Sequence, residues 1–470
     1  MGRRGRRLAV LASLGAALVA CSSGGGGARP GDGEGAGAGD PVLAGGAGTV
    51  FDTSRNAFAL PLRTLSREER RAFAVGNSFF NDNWVTAPAS TEGRDGLGPT
   101  FNAQSCSSCH FKDGRAAPPA GPDDPGRGLL LRLSVPGPGG RAVAVPGYGD
   151  QLQDRAVVGV PAEARARVSY RERRGAYADG TPYVLAEPVY ELVDPAYGPL
   201  PDDLQVSPRV APALIGVGLL EAVPEADVLA RADALDADGD GISGRPNLVG
   251  DLRHGGTTLG RFGWKANVAT VEQQVAHAFL GDIGITSSLL PDPDCPVEQA
   301  ACAAAPTGGA PEIDDHKLGR VTFYSRTLAV PARRDVDAPG SARGEEVFAD
   351  LGCGSCHAPR LRTGPSDIAG LADQVIFPYT DLLLHDLGPG LTDGRPDHEA
   401  TGREWRTAPL WGLGLVPDVN GHSRYLHDGR ARDLTEAVLW HGGEAEAAQR
   451  GFVGLSAEDR AALVAYLESL

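Results

Sequence analysis

Methionine is nearly missing from this 470-residue chain, whose single copy is Met1. A methionine thioether is thereby excluded as a ligand anywhere downstream. Cysteine is scarce as well, at seven residues, so each one can be assigned. Long apolar runs are lacking: the stretch from Leu8 to Ala20 is too short to span a bilayer comfortably. Basic charge is in deficit, with 44 Lys and Arg against 60 Asp and Glu. The resulting net charge of −16 argues against a nucleic-acid partner.

What is plentiful is glycine, at 65 residues, and proline, at 36, which predicts long loops between short elements. Arg3, Arg4, Arg6 and Arg7 precede the Leu8–Ala20 run, a signal-peptide pattern over residues 1–20. LVAC, Leu18 to Cys21, resembles a bacterial lipobox with Cys21 as the lipid-bearing residue. Residues 21–52 then read as a flexible Gly-rich tether. Removing the leader takes away four arginines and no acid, moving the charge from −16 to −20. The expectation is a periplasmic or other extracytoplasmic protein of the bacterial envelope, moored to a membrane by lipid. A small basic redox protein fits as its partner.

Besides Cys21 the cysteines fall into three pairs. Cys106 and Cys109 lie in CSSCH, ending at His110, and Cys353 and Cys356 in CGSCH, ending at His357. C-x-x-C-H is the attachment motif of c-type haem: two thiols add across the vinyl groups and the adjoining histidine ligates iron. The alternatives are a four-cysteine zinc site or a redox dithiol. Zinc ribbons space their pairs far more closely, and thioredoxin-like motifs lack the histidine. Two covalent haems are the expectation. Cys295 and Cys302, in CPVEQAAC, are expected to form a structural disulfide contributing roughly 2–2.5 kcal/mol by loop-entropy arithmetic.

The predicted fold is mainly α: two c-type cytochrome domains, residues 53–316 and 317–470, with a β-rich insertion at about 129–193 in the first. LLLRLSVPG, RVSYRERRGAYADGTPYV and EPVYELV read as strands, with Asp179-Gly180 as a hairpin turn. In SAEDRAALVAYLESL, Ser456 is a good N-cap, and Leu463, Tyr466, Leu467 and Leu470 share a stripe. LDADGDGISGRPN places Asp236, Asp238 and Asp240 at alternating positions, oxygen ligands suited to Ca²⁺, although the closing glutamate of an EF-hand is replaced by Asn247. A solvated acidic turn is the alternative.

Six-coordinate c-type haems usually take Met or His opposite the proximal histidine. With Met1 lost alongside the leader, His remains as the main protein choice, followed by Lys and Tyr. VLWHGGEA places His441 on the same helix face as Leu434, Ala437 and Val438.

FNAQSCSSCHFKDGR, GRFGWKANVATVEQQVAHAFLGDIGITS, LGCGSCHAPRLRTG and RTAPLWGLG…SRYLHDGRARDLTEAVLWHGGEA resemble the bacterial di-haem oxidoreductases. These are similar to dihaem cytochrome c peroxidases and to MauG-like oxidases, and the likeness runs from about Thr53 onward. In such relatives an H-x-G histidine precedes the second haem's distal ligand by fourteen residues. Here His427 is the first and His441 the second, and Gly442 and Gly443 would let backbone approach the ring. The resemblance further implies that Trp264 relays electrons between the haems and that Gln274 lies in the distal pocket of the first. The peroxidases carry a proton-moving glutamate where this chain has Gly284, and Asp282 is the candidate substitute. His277 and His254 are candidate distal ligands of the first haem. The interdomain calcium of those relatives makes Asn247 a second candidate calcium ligand. Peroxide reduction is the implied activity; electron transfer without catalysis, or oxidation of a protein partner, are the alternatives.

Overall fold

The computed structural model describes residues 39–91, 93–124 and 126–470, so the leader, Cys21 and most of the tether lie outside the described residues. Two crossed helix pairs organise it. Arg67–Asn81 opens with a capping box, Ser66 accepting from the Glu69 backbone while the Glu69 side chain accepts from Ser66 N–H. It packs on Asp315–Arg326 at Gly76, where a Cβ would overlap the carbonyl oxygen of Arg320. Pro339–Asp350 packs on Ala457–Ser469 in the same way at Gly344, against the carbonyl of Ala462. In both pairs the glycine also meets the Cβ of a tyrosine, Tyr324 or Tyr466.

Those tyrosines reach the segments that carry the two motifs. Tyr324 donates to Asp113 Oδ1 at 2.7 Å, three residues beyond His110. Tyr466 OH lies 3.1 Å from the hydroxyl of Tyr379, whose backbone holds His357. Asp315–Arg326 thus belongs with the first motif, and the boundary expected at residue 316 falls inside the first helix pair. Residues 39–470 form one compact unit. The tether reading also stops early, since Ala44, Thr49 and Val50 are buried and Val50 bridges to Pro331.

Between the helix pairs, β-structure is larger than expected. Arg165–Ala176 and Pro182–Val193, twelve residues each, form an antiparallel hairpin closed at Asp179-Gly180, with Gly180 at φ +85°. Its tip crosses to the C-terminal helices, where Arg460 donates to Asp179 at 2.7 Å and stacks over Tyr177. Leu129–Pro136 pairs with Ala142–Val143 and, beyond the expected insertion, with Gln205–Val210. The described residues are 29% helix and 18% strand, spread over several small sheets, which overturns the mainly α expectation. The physical reason is the Gly- and Pro-rich composition: helix is concentrated where the pairs cross, and the remainder is loop, hairpin and two-stranded ribbon. Cys295 and Cys302 form a disulfide with Cα atoms 5.7 Å apart. No helix among the described residues is long and apolar enough to cross a membrane.

Candidate functional site

CSSCH forms a single helical turn, Cys106–Cys109, with His110 as its C-cap. The His110 Nδ1 donates to the carbonyl of Pro212 at 2.8 Å, which fixes the ring and leaves Nε2 for a metal. Burial pushes its pKa down to about 4, keeping the imidazole neutral as a ligand must be. His110 and both thiols line a cavity of about 500 Å³. Its walls are largely apolar, including Phe58, Phe80, Leu220 and Val271.

Trp264, Gln274, His277 and Asp282 all border this cavity. Trp264 is buried, its Nε1 donating to Val210 O at 2.8 Å. Gln274 and His277 share one face of Val271–Ala278, three residues apart. The His277 ring makes no hydrogen bond among the described residues, and burial lowers its pKa to about 4. The helix then loosens into a π-turn, Phe279–Ile283, a distortion that re-aims side chains. Asp282 sits in it, accepting from Gln151 Nε2 at 2.9 Å. Burial raises its pKa to about 6, against the Gln151 hydrogen bond and the charge of Arg132.

Three carboxyls line the cavity, and two are committed to arginine. Asp150 pairs with Arg132 at 2.7 Å, and Asp397 with Arg209 at 2.9 Å and Arg395 at 3.2 Å. Asp282 alone has no guanidinium partner at salt-bridge distance among the described residues. Gly284 cannot serve in its place. It has φ +75°, and a Cβ there would press on Gly98 and the carbonyl of Thr100 at 2.6 Å. His254 is exposed, pairs with Asp251 at 3.1 Å and does not border the cavity, so it is no candidate distal ligand.

Sequence reasoning missed two cations. Arg115 and Arg406 both face the cavity and have no carboxylate partner among the described residues. Burial lowers each to about 10. Arg115 spends one N–H on Leu426 O at 2.7 Å and leaves its buried Nε without a partner among the described residues. Two guanidiniums without carboxylate partners, in the wall of a largely apolar cavity, fit a flat apolar group that carries two carboxylates, as a porphyrin does. No signal in the local sequence marks either one.

The second motif, CGSCH, is a 3₁₀ turn at Cys353–Ser355. His357 Nδ1 donates to Tyr379 O at 3.0 Å, and burial lowers its pKa to about 4. His441 follows Leu434–Leu439, a helix N-capped by Asp433, and its Nδ1 donates to Ala437 O at 2.7 Å. The two rings are close enough for His441 to depress His357 electrostatically. All three histidines therefore have Nδ1 tied to a backbone carbonyl and Nε2 left over. Gly443 packs on backbone, where a Cβ would overlap Asp386 O. His427 is buried and stacked on Trp405, with centroids 3.7 Å apart and planes 11° from parallel.

The acidic loop gathers a different set from the one expected. Asp233, Asp236 and Asp238 bring carboxylate oxygens within 4.8 Å of one another, whereas Asp240 accepts from Ile242 N at 2.9 Å outside that group. Asn247 is buried elsewhere, donating to Lys265 O at 2.7 Å and Asp397 O at 3.0 Å while its Oδ1 accepts from Glu399 N at 3.0 Å. That is the only cluster of three or more metal-ligating side chains among the described residues, so the four motif cysteines do not converge on one metal.

No curated protein and no solved structure matches the chain. The family model described as di-haem oxidoreductase, putative peroxidase, matches residues 40–470, a span that contains both histidine-anchored motifs and the cavity. With two C-x-x-C-H turns, each completed by a neutral imidazole, and a match over nearly the whole chain, this protein belongs to the di-haem oxidoreductase family and takes two haems.

Proposed function

We propose that the chain is an exported dihaem c-type cytochrome that reduces peroxide at the site of the first motif. Thioether links would form at Cys106 and Cys109, and at Cys353 and Cys356. His110 would hold the iron of the first haem, and His357 and His441 would hold that of the second. Bound haem supplies one-electron storage and, where an iron position stays open, a place for peroxide. The net reaction joins H₂O₂ with two electrons and two protons to give two waters, the electrons coming from a small redox protein. Trp264 provides a route for them between the motifs. Gln274 orients the substrate, and the Asp282 carboxyl takes and returns the proton.

The observation that carries this reading is Asp282, the cavity's one carboxyl without an arginine partner, poised with a pKa of about 6. The test is a peroxide titration of the half-reduced protein, in which rapid reoxidation with turnover is expected and an inert pair of haems would refute the enzyme. Replacing Trp264 with Phe should slow interhaem transfer without changing either spectrum. The unanchored ring of His277 favours a second reading, in which it closes the first iron and the protein only carries electrons. Oxidation of a protein partner is the third reading, tested with the same half-reduced sample.

The envelope location, the lipid on Cys21 and a calcium ion at the acidic loop belong to the same proposal. Calcium would take Asp236 and Asp238 together with Asp233; a chelator that left metal content and thermal stability unchanged would remove it.

A further inference from the structure

Beside the second motif lies a buried imidazole that peroxide chemistry does not use. His385, in Leu384–Asp386, is 3% exposed. Its Nε2 is 2.8 Å from Asp381 Oδ2, and its Nδ1 is 2.7 Å from Glu444 Oε2 and 3.5 Å from Cys356 Sγ. A neutral imidazole has one N–H. Two contacts this short to two carboxylates need two protons, both on the ring or one on a carboxyl. Either arrangement gives the trio a net charge of −1. Burial opposes a charged ring, but the hydrogen bonds to Asp381 and Glu444 outweigh it and hold His385 well above its ordinary pKa.

The trio is also a junction. Asp381 N donates to Cys356 O at 3.1 Å, and two residues earlier Tyr379 O holds His357. Glu444 lies three residues beyond His441 and accepts from Asp386 N at 3.1 Å, Ser243 N at 3.1 Å and Ser243 Oγ at 2.7 Å. One buried ring therefore connects the turn carrying the proximal histidine, the turn after the distal one and the end of the acidic segment. Its charge also reaches His357.

We propose that His385 is a positioning residue of the second haem, holding the His357/His441 pair in register and, through the protons it shares with Asp381 and Glu444, setting the charge that this haem feels. The inference rests on the reading of His357 and His441 as axial ligands. The test uses full-length, haem-loaded protein and reads the second haem's midpoint potential and ferric EPR signal. His385→Gln leaves two carboxylates with no shared cation, making the trio −2, so the potential should fall and the low-spin signal should broaden or lose intensity. Glu444→Gln keeps the contact to Ser243 and makes the trio neutral, so the potential should rise. The double variant restores −1 and should return toward the parent. Opposite shifts that cancel support the proposal; unchanged potentials, or shifts of one sign, overturn it. If His385→Gln does not fold, the upward shift of Glu444→Gln decides alone. A parent protein with one haem, or without a bis-histidine signal, would instead refute the underlying ligand assignment.

Discussion

The two motif sites begin alike and end differently. Each C-x-x-C-H turn follows a helix crossed at a glycine, each motif histidine is tied to a carbonyl, and each closing helix sends a tyrosine toward its motif. Their surroundings diverge. Beside the first turn lies a cavity with Gln274, an untethered His277 and a carboxyl shifted up to about 6. Near the second stands His441, its ring already fixed by Ala437 and its following turn locked through Glu444 and His385. That contrast fits a division of labour, in which adaptable polar groups suit chemistry on a small substrate and a rigid pair of imidazoles suits electron storage.

The largest test of that contrast removes one side outright. Changing Cys353 and Cys356 together to Ser should reduce the denatured protein's mass increment from two haems to one, and changing Cys106 and Cys109 should do the same for the other site. Asp282→Asn comes next. It should lower peroxide turnover by about 10²–10⁴-fold, the usual reach of general acid–base catalysis, with the second haem's spectrum unchanged. The sign of the pH effect follows from the raised pKa. Asp282 accepts a proton only when ionised, so parental activity should fall as pH drops through about 6, and the variant's profile should lack that limb. His441→Met should raise the second haem's potential and introduce a methionine–iron charge-transfer band that the parent lacks, since Met ligation favours the reduced form more than His does. Smallest and most local, Gly76→Ala and Gly344→Ala should each destabilise by about 1–3 kcal/mol through overpacking, read as a fall in thermal midpoint. Gly76→Ala should disturb the first haem's spectrum and Gly344→Ala the second's.

Much of the site was legible because its signals are short and fixed in spacing. The two C-x-x-C-H motifs, the Asp179-Gly180 turn and the cysteines of the disulfide are all local patterns. His441, Trp264 and Gln274 came from resemblance, and the structure shows which of them share a cavity. What could not be read depends on long-range contact. His385 meets Glu444 across 59 residues of chain, and Arg115 and Arg406 converge on one cavity from opposite ends of the sequence. The aim of Asp282 depends on a π-turn that no periodicity announces. Asp233 joined the acidic cluster in place of Asp240 because the loop folds back on itself, Asp233 N donating to Ser243 O at 2.8 Å. The mainly α expectation failed for a related reason: haem motifs reveal helices at the crossing pairs, whereas glycine and proline decide what the intervening chain becomes.

The proposed function requires one open iron and one closed iron. Low-temperature EPR of the ferric protein, recorded before and after cyanide, tests it most directly. One low-spin bis-histidine signal that ignores cyanide, beside a second signal that cyanide converts, is the predicted result. Two signals that both ignore cyanide, or both respond to it, would contradict it.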